Sequence, residues 1–208
     1  MGCKRVLAEK LKSRKRLLFA AFWNCLCYWG ATLIADESKT ISLKTAVDEK
    51  VPFLPWTILI YFGSYLFWLI LYDDRLKTAG RESNRFFYAD LFAKAVCFFI
   101  FVFMPTTIDR PAVNGSGFWR GGIRFLYAAD KPLNLFPSIH CMNSWLCWIG
   151  IRGRKDRDRL QKSVAMLIAS AICISTLTVR QHVIADVFGG ILLAELSYLL
   201  TGRLLKKS

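Results

Sequence analysis

The sequence predicts an all-α protein, an integral membrane bundle of six transmembrane helices. Three observations carry that prediction. The 208 residues are 54% hydrophobic and 14% aromatic, too apolar for an ordinary soluble domain of this length. The apolar residues gather in six runs near the roughly 17–25 residues that cross a bilayer. The basic residues, 29 Lys and Arg against 15 Asp and Glu, fall in short blocks between those runs, as in a multi-spanning protein. A net charge of +14 also raises nucleic acid as a partner. Blocks that alternate with spans form no single basic face, so no nucleic acid is expected.

The whole chain, 1–208, reads as a single membrane domain. Residues 1–16 form a basic tail. "MGCKRV" opens Met-Gly, but Val6 stands where N-myristoylation wants Ser or Thr, which leaves only Cys3 open to acylation. The first span is 17–35, "LLFAAFWNCLCYWGATLIA". It is long for the apolar core of a signal peptide, lacks a clear cleavage site and precedes five more spans, so it reads as an anchor. The second span is 54–72, "LPWTILIYFGSYLFWLILY", and the third is 86–106. The fourth, 136–151, and the fifth, 163–179, are short. The sixth is 183–200. Within the third span, Asp90 and Lys94 are four apart, which suits an ion pair on one helix face with Lys94 snorkelling. Glu195, in the sixth span, has no evident companion. The seven cysteines, Cys3, Cys25, Cys27, Cys97, Cys141, Cys147 and Cys173, include no C-x-x-C pair and read as small apolar packing residues.

Six spans place both termini on one side. The tail and the segments 73–85, 151–162 and 203–208 then share that side and hold 20 Lys and Arg; the opposite segments hold eight, and Lys94 is within a span. The positive-inside rule puts both termini in the cytoplasm, with a plasma (inner) membrane as the expected location.

With this topology three polar clusters lie at the non-cytoplasmic ends of spans. "MPTTIDRP" (104–111) ends the third, "FPSIH" (136–140) begins the fourth and "TLTVRQHVIAD" (176–186) links the fifth to the sixth. Both histidines of the chain, His140 and His182, are therefore at similar depth on one side. His182 and Asp186 are four apart and stack on one helix face. A carboxylate against an imidazole N–H fixes its tautomer and stabilises the charged ring. Pro137 suits the first position of a helix, whose free N–H groups favour an anion such as phosphate. Ser138 adds a hydroxyl there, and His140 sits in the first turn. Arg110, pinned by Pro111, offers a planar donor fork for phosphate oxygens. Arg180 and Lys131 are further candidates to grip phosphate.

"DRP", then "PSIH", then "RQHVIAD" on a six-span chain resembles the type-2 phosphatidic acid phosphatase superfamily, over about residues 52–200. Ile139 stands where that family's second motif has glycine. The resemblance implies a metal-free, cofactor-free enzyme that cleaves or transfers phosphate on lipids at a membrane surface. It makes His182 the nucleophile that forms a phosphohistidine, and Asp186 its partner. It makes His140 the acid that protonates the leaving lipid oxygen and later activates water, with Arg110 and the Ser138 region holding the phosphoryl oxygens. Two cations of the family pattern are missing. Phe103 stands where a lysine is usual and Thr176 where an arginine is usual; Arg180 or Lys131 are candidates to replace them. The same His-His-Asp set serves the divergent branches that make sphingomyelin or inositol phosphoceramide, which pass a phospho-headgroup to another lipid.

The expected function is thus a membrane lipid phosphate phosphohydrolase with its site on the non-cytoplasmic face. A headgroup transferase is the alternative, separated from it only by the acceptor. A third reading, a transporter or metal-binding protein using His140, His182 and Asp186 as zinc ligands, leaves "PSIH" and Arg110 without a role. The expected partners are a lipid phosphate or phospholipid substrate and the membrane.

Overall fold

The computed structural model describes residues 2–78 and 80–207, with side chains described for 11–78 and 80–206. Cys3 and the basic residues Lys4, Arg5 and Lys10 lie outside the described side chains. The expected all-α class is what the described residues form. Eight α-helices follow one another: α1 (Gly2–Ile34), α2 (Ala46–Glu49), α3 (Ile58–Lys77), α4 (Arg81–Phe103), α5 (Phe118–Ala129), α6 (Ile139–Arg152), α7 (Arg159–Thr178) and α8 (Ile184–Lys207).

Local chemistry sets several boundaries. Pro55 opens the 3₁₀ turn that leads into α3, a position where a missing N–H costs little. Asp158 and Gln161 exchange side-chain-to-backbone hydrogen bonds at the start of α7, a capping box. Ser138 is the N-cap of α6. Pro137 therefore precedes the cap and is not the first helical residue, as the sequence had suggested.

Five helices are long and apolar enough to cross a membrane, within Leu11–Ile34, Pro55–Lys77, Arg81–Phe103, Arg159–Thr178 and Ile184–Lys206. The fourth expected span, 136–151, differs. α6 has 14 residues, about 21 Å at 1.5 Å per residue, against a hydrocarbon core of about 30 Å. It sits at the middle of the molecule, packed chiefly on α7 and α8 and also on α3 and α4. Met142, Leu146 and Ile149 of α6 join Phe86, Phe101 and Ile172 in the main core. Large apolar side chains also cover the outside, among them Leu18, Leu33, Leu69, Phe99, Phe103 and Phe188, a surface that soluble monomers rarely present.

Three details correct the sequence reading. Lys94 does pair with Asp90, at 2.7 Å, but it does not snorkel; it is 2% exposed and also donates to the Ala20 carbonyl of α1. The Tyr72 hydroxyl donates to the same Asp90, so the charges are satisfied inside the bundle. Glu195 has companions: Arg152 grips it through two bonds of 2.7 Å, and the Trp145 indole donates to it. Among the cysteines, Cys27, Cys97, Cys141, Cys147 and Cys173 are buried free thiols, whereas Cys25 is exposed.

α8 approaches the start of α6 closely at Gly190. A Cβ there would stand 2.5 Å from the Ser138 carbonyl oxygen and 3.1 Å from the Met142 nitrogen. Both are backbone atoms and cannot swing aside. Gly190→Ala is expected to cost about 1–3 kcal/mol of stability through overpacking, read as a lowered melting temperature in detergent. An unchanged melting temperature would show that the two helices have slack.

Candidate functional site

The turn between α7 and α8 presents one histidine. The backbone N–H groups of Gln181 and His182 both donate to the Thr176 carbonyl (3.0 and 3.2 Å), which folds the chain back sharply. Asp186, in the first turn of α8, is 1% exposed. Its Oδ2 accepts from the Val183 N–H at 3.0 Å and lies 3.2 Å from His182 Nδ1. With Nδ1 engaged there, Nε2 is the ring atom left for a substrate. Burial disfavours the charged ring of His182, but the Asp186 carboxylate outweighs it, and the pKa is raised above its usual value.

The "FPSIH" segment is tied to this turn. The Ser138 N–H donates to the Asp186 carbonyl at 3.0 Å, and the Ser138 hydroxyl accepts from the Cys141 N–H at 3.3 Å. Ser138 thus caps α6, and His140 stands on the first turn. The ring of His140 stacks on Tyr61 with centroids 4.4 Å apart and packs beside Tyr65 and Trp68. These three side chains, at i, i+4 and i+7, come from one face of α3. His140 Nε2 is buried without a partner. The two imidazole centroids are 6.4 Å apart.

The third segment joins through Thr106, whose hydroxyl accepts from the N–H groups of Leu135 and Phe136 (2.9 and 2.8 Å). This anchors the stretch that carries Arg110. The guanidinium of Arg110 lies over the Tyr127 ring and donates to the Asp130 carbonyl and to Gln181 Oε1. Its Nε is buried without a partner.

His140, His182 and Asp130 line a cavity of about 360 Å³, walled mainly by aromatic residues of α1, α3 and α5. Helix α5 was missing from the sequence reading. With 12 residues it is too short for a span, but Ile123 and Leu126, three apart, mark its inner face and pack on Ile58, Tyr61 and Val179.

Not every candidate converges here. Arg180, at φ 57°, donates to the carbonyls of Asp48 and Val51 and so braces the α7–α8 turn. The Asp48 carboxylate supports the same turn by accepting from the Ile184 N–H at 2.7 Å. Lys131 is 74% exposed in its side chain and pairs with Glu37 at 3.5 Å. Phe103 is 81% exposed, and the buried Thr176 hydroxyl donates to the Cys173 carbonyl. Gln181 and Asp130 were passed over in the sequence; only the proximity of Gln181 to His182 hinted at a role. Among the described residues, no group of three or more His, Cys, Asp or Glu is placed to hold a metal ion.

An imidazole backed by a carboxylate and a second imidazole with an unpartnered nitrogen thus share one cavity, and a guanidinium lies beside it on the Asp130 carbonyl. No curated protein and no solved structure matches the chain. The model of one protein family does match, over residues 17–208, and on that match the chain belongs to the PAP2 superfamily.

Proposed function

We propose that the protein is a membrane phosphatase or phosphotransferase that acts on a lipid phosphate ester through a phosphohistidine at His182. The observation that carries the reading is the convergence of His140 and of His182, backed by Asp186, on one cavity, with Arg110 beside it on the Asp130 carbonyl. His182 Nε2 attacks phosphorus, and the bond from phosphorus to the lipid oxygen breaks. His140, protonated at the start, gives its proton to that oxygen. The imidazole, now neutral, takes a proton from water or an acceptor alcohol, whose oxygen displaces His182. Asp186 supports the charge that develops on the His182 ring. Arg110 holds a phosphoryl oxygen.

In this reading α6 is the fourth of six spans, and residues 134–138 cover the depth that its 14 residues do not. Irregular backbone is tolerated there because it is buried in protein and lines a cavity. Both termini are cytoplasmic, in keeping with the 20-to-8 division of basic residues. An impermeant thiol reagent on intact cells is expected to label Ser116→Cys and not Arg157→Cys, in a background without accessible cysteines. The opposite pattern would place the site on the cytoplasmic face.

The chemistry is tested by stopping turnover of a phosphorus-labelled lipid with alkaline denaturant, where phosphohistidine persists. Label is expected on His182, with activity that survives extended chelation and is inhibited by vanadate. Turnover that a strong chelator abolishes and zinc restores would replace the covalent mechanism with a metal-assisted one.

A further inference from the structure

Resting on the reading of His182 as nucleophile, we infer that the site takes a phosphodiester, singly charged at phosphorus, in preference to a phosphomonoester dianion. The argument is one of charge. A phosphomonoester carries about −1.5 to −2 at neutral pH, and a site for it gathers several cations. The residues that line this cavity include no lysine or arginine. Arg110 lies beside it, with one N–H of each terminal nitrogen already given to the Asp130 carbonyl and to Gln181 Oε1. Arg180 is spent on backbone carbonyls, and Lys131 is paired with Glu37.

The lining also supplies a negative charge. Asp130 is among the lining residues, and its carboxylate accepts from the hydroxyl of Tyr28, another lining residue, at 2.6 Å. A second charge on the phosphoryl group would meet that carboxylate, offset within the lining by the protonated His140 alone.

A neutral donor stands beside Arg110 where a further cation would be needed for a dianion. A guanidinium only donates, so Gln181 must turn its oxygen to Arg110. That leaves its Nε2, on a residue 1% exposed, buried and without a partner. An unpaired buried amide is costly, and a phosphoryl oxygen held jointly with Arg110 Nε accounts for both orphaned donors. A single negative charge matches one guanidinium and one amide.

The cavity wall agrees. Tyr61, Phe62, Tyr65 and Trp68 make much of the lining aromatic, and the Trp68 indole N–H is spent on Ser144. A terminal phosphate oxygen pushed against their ring carbons would lose hydration, whereas the carbon atoms of a second ester group would not. The reaction balances without a further reactant. His182 Nε2 bonds to phosphorus, and one ester oxygen leaves with the proton of His140. The adduct keeps the other ester group and a single negative charge. Water or an alcohol, deprotonated by His140, then releases it.

The test compares the purified full chain on phosphatidate with its turnover of phosphatidylcholine, phosphatidylethanolamine and phosphatidylinositol, at equal surface fraction in mixed micelles. At least one diester is expected to exceed phosphatidate in kcat/KM by about tenfold or more. Asp130→Asn, which removes charge at constant shape, is expected to shift the phosphatidate-to-diester ratio about tenfold towards phosphatidate. A merely structural role for Asp130 would lower both substrates alike and leave the ratio fixed, which would overturn the charge argument. Phosphatidate turned over faster than all three diesters, with dependence on His182, would overturn the inference and leave the proposed chemistry standing. No turnover of either class that depends on His182 would sink both.

Discussion

His182→Ala is expected to reduce turnover by on the order of 10⁶-fold, the scale on which removal of a covalent nucleophile acts. No other group in the cavity is placed to take its part. His140 Nε2 is buried beside Tyr61, Tyr65 and Trp68, and lacks a carboxylate behind it. Asp186→Asn is the companion variant, and its shape is conserved. The Asp186 Oδ2 serves the Val183 N–H and His182 Nδ1 together. An asparagine that keeps oxygen there preserves the tautomer and loses the charge that steadies the developing imidazolium. One that presents its NH₂ forces the proton onto Nε2 and removes the attacking lone pair. Either way a loss of about 10⁴-fold is expected, with little change in melting temperature. Measured turnover of His182→Ala within tenfold of wild type would refute the assignment.

How much of this site was legible in the sequence depended on whether a contact runs along the chain or across it. The His182–Asp186 pair is one helical turn, so spacing alone predicts that they meet. Counting spans and basic residues put "DRP", "PSIH" and "RQH" on one side, and the structure ties them together through Arg110–Gln181 and Ser138–Asp186. Arg180 shows where that logic stops. Its place two residues before His182 suggests a phosphate ligand, yet its positive φ turns it towards the carbonyls of Asp48 and Val51, about 130 positions away in the chain. Gln181 reads as a neutral filler until Arg110 is seen against its oxygen. Helix α5, with 12 residues, is too short to stand out as a span, and the apolarity of 136–151 does not reveal where α6 begins.

His140→Ala is expected to behave differently, because a general acid can be bypassed and a nucleophile cannot. On a natural lipid ester the leaving alkoxide is strongly basic and needs the proton, so a loss of about 10²–10⁴-fold is expected. On an aryl ester the leaving group departs unprotonated, and the first step should approach the wild-type rate. The second step still needs a base to activate water or alcohol, so the His182 adduct should accumulate to nearly one per site. Rapid quenching into alkaline denaturant reads that accumulation directly. The same truncation empties space against Tyr61, Tyr65 and Trp68, a packing loss that can lower stability. His140→Asn fills part of the space without restoring the acid, and it should share the accumulation while melting closer to wild type. If both variants lose the same factor on lipid and aryl esters, and no adduct builds up, His140 is a packing residue of the cavity wall and the proton comes from elsewhere.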